Sequence, residues 1–286
     1  MATDDKKRRF FDHYRKSLKA AGLQALSDNS VICPLCWQDT DYASLSLEHI
    51  VPRKVGGKRE ILTCTRCNNE HGSALDSHLS QFQNVKDGFG GHGTISAKLS
   101  AHGYKATAAI EWGDDYKNIH IVGKASNPAE VSAIHEQFKA GNIGELNLTL
   151  LFGYIKNRFQ TALLRCAYLA VFKCFGYEYA RHDVVQVIRR RICAPSLEYP
   201  RLGSLIGELR DGEIPYTDPY IIVPGNVNGV EFFLVIIQLR KETTTIHFVF
   251  MPVPVERSDE FYSIMERCSK DYERKVLHIP YEFAFT

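Results

Sequence analysis

Two Cys-x-x-C pairs, Cys33-Pro34-Leu35-Cys36 and Cys64-Thr65-Arg66-Cys67, constrain this chain more than anything else in it. Each pair turns two thiolates to one side of a tight turn. Two such knuckles complete a tetrahedral set of four sulfurs, the ligand set of a structural Zn2+. Residues 37–63 must therefore fold back so that the knuckles meet. Four cysteine ligands leave no open coordination position, so this zinc is expected to brace the fold while other residues do the chemistry. The start of the chain, MATDDKKRRFFDHY, carries charge where an export segment would be apolar, which favours metal binding over disulfides. Cys166, Cys174, Cys193 and Cys268 have no framework spacing, and the first two are expected to be core thiols.

Between and behind the knuckles lie Leu47-Glu48-His49-Ile50-Val51-Pro52, Gly56-Gly57 and Asn68-Asn69-Glu70-His71-Gly72, with Asp76 four residues further on. In this order and spacing the string resembles the HNH endonuclease family, and within it the zinc-knuckle subgroup ending in C-x-x-C-N-N-x-x-G-x-x-x-D. The resemblance implies a β-hairpin and a helix clasping one divalent ion, Mg2+ or Mn2+. It assigns His49 as the general base, Glu48 as the acidic metal ligand and Asn68 as the ligand on the helix. The family's middle Asn is missing from Lys58-Arg59-Glu60-Ile61-Leu62, so a backbone carbonyl or Glu60 is expected to orient the base.

The residue types suit that chemistry on their own terms. A neutral imidazole, with an ordinary pKa of about 6.5, can take a proton from water near neutral pH. Hard oxygen ligands suit a divalent ion that polarises a phosphate. Adjacent strand residues point to opposite faces, so a bend or bulge has to bring Glu48 and His49 into one site. His71, one helical turn after Asn68, is a candidate third ligand or else a surface or phosphate-contacting histidine. Arg53, Lys54, Lys58 and Arg59 are candidates for gripping backbone phosphates, or are simply solvated loop charges.

The remaining sequence suggests an α+β chain: a small ββα-metal module with its four-cysteine zinc over residues 1–90, and a larger α+β domain with antiparallel strands and long helices over 91–286. An aromatic-striped helix is expected over Asp4–Leu26, with Phe10, Phe11, Tyr14, Leu18 and Ala21 inward. Residues 87–93 are glycine-rich and read as a linker. Strands are expected at Thr94–Ser100, Tyr104–Trp112 and Tyr116–Gly123, and a helix from Pro128 to near Gly141. One or two buried helices follow over Asn147–Ala180, then a helix over Asp183–Ile192 ending in Arg189-Arg190-Arg191. A hairpin pairs Glu231–Leu239 with Thr244–Val255, and a last helix spans Ser258–Lys275.

Lys and Arg number 35 against 33 Asp and Glu, with the excess confined to residues 1–80, which is no dedicated basic DNA-binding stripe. The apolar run Leu148–Tyr179 is broken by Lys156, Arg158, Arg165 and Lys173, which excludes a membrane span. The expected substrate is nucleic acid, DNA rather than RNA by the family resemblance, in the cytoplasm, with a homo-oligomer or protein partner left open. A role in restriction or antiviral defence, with the C-terminal domain recognising a sequence or signal, fits that reading. The alternative is a non-catalytic zinc module for nucleic-acid or protein binding.

Overall fold

A computed structural model describes residues 2–112, 119–123, 128–142, 144–209 and 216–270. Helix α1 (Ala2–Ala20) opens the chain and buries Phe11, Tyr14 and Leu18 from one stripe, with Ala21 just beyond it. It stops at Gly22, whose φ of +67° no longer continues a helix. Strands β1 (Ser30–Ile32) and β2 (Asp39–Asp41) flank the first knuckle. Strands β3 (Leu45–His49) and β4 (Arg59–Cys64) form the hairpin, and α2 (Thr65–His71) follows it directly. A single π turn, Gly72–Asp76, joins α2 to α3 (Ser77–Phe89).

Beyond α3 the chain builds an antiparallel sheet from β5 (Thr94–Ala101), β6 (Tyr104–Trp112) and β7 (Ile119–Gly123), crosses over through α4 (Pro128–Lys139), and returns as β8 (Leu146–Leu150). The order is β7-β6-β5-β8. Helices α5 (Lys156–Ala180), α6 (Asp183–Cys193) and the single turn α7 (Leu202–Leu205) come next. A second antiparallel sheet, ordered β10-β11-β12-β9, combines β9 (Ile206–Leu209), β10 (Tyr220–Val227), β11 (Val230–Arg240) and β12 (Thr244–Pro252). Helix α8 (Phe261–Lys270) ends the described chain.

Three expectations need correcting. The glycine-rich stretch is not a free linker. Asp87 and Gly88 are buried in the last turns of α3, and a Cβ on Gly88 would lie 2.7 Å from Ile95. The Asp87 carboxylate accepts from Gln83 Nε2 (3.0 Å) and from the Thr243 backbone N–H (2.9 Å), so glycine here permits close packing, not flexibility. Secondly, residues 147–150 are strand and not helix, because they complete the edge of β5. Thirdly, Cys174 is exposed; Cys166 is the core thiol. The two-helix alternative for the buried helix is realised as a kink at Gly176 (φ 62°, ψ −147°), where a Cβ would lie 2.1 Å from Ser17 Oγ.

One continuous core runs from α1 through the knuckles to α5, α6 and β10–β12. The division expected at residue 90 therefore does not coincide with a break in packing. The sheet β5–β8 with α4 has its own small cluster of Leu99, Ala101, Ala106, Ala108 and Ile134. No helix among the described residues is long and apolar enough to cross a membrane.

Candidate active site and metal centre

The two knuckles meet. The Sγ atoms of Cys33, Cys36, Cys64 and Cys67 lie within 4.8 Å of one another, which fits a tetrahedral Zn2+. Local structure sets this up: Cys64 caps α2, its sulfur accepting from the Cys67 N–H (3.4 Å), while Cys33 Sγ accepts from the Cys64 N–H (3.3 Å). Trp37, at φ 62°, closes the first knuckle. Thiols this close share protons: hydrogen bonding with Cys33 pulls Cys36 far down and Cys64 to about 6, while Cys67 is pushed up. A zinc ion would offset the negative charge of four thiolates so crowded, and the donor set is the one zinc takes.

Helices far along the chain hold the knuckle in place. Tyr168 Oη donates to the Pro34 carbonyl (2.7 Å), Tyr177 Oη to that of Ile32, and Arg189 Nη1 to that of Leu35 (3.2 Å). The Arg189 guanidinium also lies over the Trp37 ring, 5.2 Å from its centroid. Arg191 is buried and bonded to Asn157 Oδ1 (2.6 Å), so two of the three arginines ending α6 act inside the fold. From the other side, Tyr14 of α1 both donates to and accepts from the Leu62 backbone at 3.1 Å, pinning β4.

The hairpin registers Leu45 against Cys64 and Glu48 against Ile61, then slips between Glu48 and His49, so that His49 faces Arg59. The extra residue is Glu60, so the bulge lies on β4, opposite the two neighbours Glu48 and His49 of β3. Glu48 Oε1 accepts from the His49 backbone N–H at 2.7 Å. Asn68 is half-buried beside the hairpin, its Nδ2 donating to Ser46 Oγ at 2.9 Å; Ser46 and Glu48 share one face of β3. Arg53, Lys54 and Lys58 are exposed on the intervening loop, as a phosphate grip requires. Glu60 is turned elsewhere. It accepts from Lys173 Nζ (2.5 Å) and Tyr220 Oη (3.2 Å), so it is committed to α5 and β10 and does not orient His49.

Sequence reading missed Arg165. It lies on α5, is fully buried, and reaches both Asp76 (Nη1 to Oδ1, 2.9 Å) and Glu48 (Nη2 to Oε2, 3.3 Å). The Asp76 contact is a formed hydrogen bond. The Glu48 contact is longer and poorly aligned, and leaves Glu48 Oε2 and Arg165 Nη2 without a well-formed hydrogen bond among the described residues. Burial raises the Glu48 and Asp76 carboxyls against the pull of Arg165; burial lowers the guanidinium, but the two carboxylates outweigh it. His71 is buried too, with Nδ1 unpartnered among the described residues, and burial followed by the charge of Arg165 pushes it down to about 4. The signal was available: an arginine in the middle of a helix apolar on every face has to find a carboxylate.

These residues do not fit a second, divalent ion as they stand. Glu48 and His71 offer unpartnered ligand atoms, but they face a buried guanidinium. Among the described residues only the four cysteines bring three or more Cys, His, Asp or Glu ligand atoms within 4.8 Å of one another.

No curated protein and no solved structure matches the chain. Residues 33–83, which hold both knuckles, the bulged hairpin, the π turn and the first half of α3, match the family model described as HNH endonuclease.

Proposed function

We propose that the protein is a nuclease that hydrolyses phosphodiester bonds, with His49 as the general base. The observation that carries this reading is the slip in register at Glu48/His49 inside a zinc-braced hairpin and helix. His49 is half-buried, its backbone N–H is held by Glu48, and the loop that follows it carries the exposed cations Arg53, Lys54 and Lys58. A phosphate seated on those cations would present phosphorus to a water from which His49 withdraws the proton. DNA is the preferred substrate on the family resemblance, and a role in defence against foreign DNA fits a nuclease joined to a larger recognition unit. Mg2+ or Mn2+ is the ion the resemblance implies, but no step is assigned to it while Glu48 faces Arg165.

Nicking of supercoiled plasmid in the presence of Mn2+ tests the reading. His49→Ala should reduce the rate at least about a hundredfold, the usual contribution of general-base catalysis. Zinc content and the thermal transition should stay those of the wild type. Equal nicking by the two proteins would remove His49 from the mechanism, and no nicking by either would leave a zinc-braced binding module instead of an enzyme.

A further inference from the structure

The nuclease reading leaves a conflict at Glu48, the residue expected to hold a divalent ion. Its Oε2 is buried and faces Arg165 Nη2 at 3.3 Å, too poorly aligned for a well-formed hydrogen bond. Arg165 is held by Asp76 on the π turn, at 2.9 Å and in good alignment. The guanidinium thus has one firm acceptor and one loose one. Its Nε and Nη2, the Glu48 Oε2 and His71 Nδ1 are all buried and unpartnered among the described residues. So many unsatisfied polar atoms around one cation are costly in a single packed state. They make sense where the group serves two arrangements.

We propose that Arg165 is a built-in counter-cation that competes with the divalent ion for Glu48, so that α5 controls whether the nuclease centre can load its metal. With the guanidinium against Glu48, a second cation beside it is repelled at short range in a site with little water. With the guanidinium drawn back onto Asp76 alone, Glu48 Oε2 becomes available, and Arg165 remains buried but paired. Asp76 supplies the resting place that makes the exchange possible without exposing the arginine. The same helix carries Tyr168 and Tyr177, which hold the zinc knuckle, and Lys173, which holds Glu60 of β4. A shift of α5 therefore reaches the metal ligand and the hairpin together. The proposal rests on the nuclease reading for the identity of the ion, but it concerns metal binding and can fail separately.

Mn2+ binding to the full chain, followed by electron paramagnetic resonance without nucleic acid and with the knuckle zinc retained, tests it. Arg165→Met should bind Mn2+ at least about tenfold more tightly than the wild type, because it removes a like charge beside the site. Adding Glu48→Gln to that variant should abolish the gain, and Arg165→Lys, which keeps the charge, should stay near the wild type. Folded Arg165→Met with unchanged affinity would overturn the proposal. Two buried carboxylates left without their arginine could also prevent folding. In that event Mn2+ should restore a cooperative thermal transition, and Glu48→Gln should remove the rescue; failure of Mn2+ to restore it overturns the proposal equally. Loss of plasmid nicking on His49→Ala is a separate result, which tests the nuclease reading and leaves these affinities untouched.

Discussion

His247 shows how far a single side chain can depart from its sequence appearance. It is one of 11 histidines and has no motif around it. In the fold it is 2% exposed on β12, with ring centroids 5.3 Å from Phe82 and 5.4 Å from Phe159. Burial pushes it down to about 4. Because the folded pKa lies below the unfolded one, the unfolded chain takes up the proton first as pH falls through the range from about 6.5 to about 4, and stability is lost across that window. The raised carboxyls of Glu48 and Asp76 work the other way, since the folded state protonates them first. Comparing wild type with His247→Phe cancels those contributions. Between pH 7 and pH 5 the wild type should lose about 2 kcal/mol more than the variant. Urea midpoints at the two pH values check this, and parallel losses would show that His247 titrates normally.

At the scale of elements, the hairpin depends on its two glycines. Gly56 takes φ 97° to end the turn Arg53–Val55. Gly57 is tighter still, since a Cβ there would sit 1.5 Å from the Val51 carbonyl oxygen. Gly57→Ala has to push β3 and β4 apart, and should destabilise the protein by about 3 kcal/mol, beyond the range of ordinary surface substitutions. Gly56→Ala should cost about 1 kcal/mol for the left-handed backbone alone. Thermal melts of the two variants rank them, and the reverse order would mean that the loop gives way where Gly57 touches it. Cys64→Ser removes both a zinc ligand and the cap of α2, so zinc analysis should show loss of metal and the melt should drop sharply.

These elements were the legible part of the chain. Knuckles, hairpin and helix follow from residue types a few positions apart, and local chemistry fixes them. The exceptions are instructive because each depends on a distant partner. Gly88 reads as a linker until Ile95 packs on it, Glu60 as a catalytic aid until Lys173 and Tyr220 claim it, and Arg165 as a mere interruption until Asp76 and Glu48 are seen across from it. No spacing in the sequence announces a contact between residues 48 and 165.

The whole molecule divides differently from its sequence. The zinc-knuckle module belongs to the core that contains α5, α6 and β10–β12, whereas the sheet β5–β8 with α4 has its own cluster. That sheet leaves and rejoins the core at nearby points. The ring centroids of Phe89, where α3 ends, and Phe152, just after β8, are 6.2 Å apart, and a Cβ on Gly153 would contact Gln81 of α3 at 3.6 Å. The Ile155 N–H donates to His78 Nδ1 at 3.3 Å, fixing the return. Replacing residues 93–150 by a glycine-serine linker of about five residues, which spans roughly 12 Å, should therefore close without strain. The shortened chain should keep its zinc and melt within a few degrees of the full protein, since the removed cluster shares no buried residue with the main core. A chain stopped at residue 90 should not fold, because it loses Tyr168, Tyr177 and Arg189 from the knuckle and exposes the apolar residues that α5 and α6 cover in the shared core. Zinc analysis and thermal melts of both proteins decide the matter. If the first unfolds while the second remains folded, the zinc-knuckle module is an independent domain and the shared core is not what holds it.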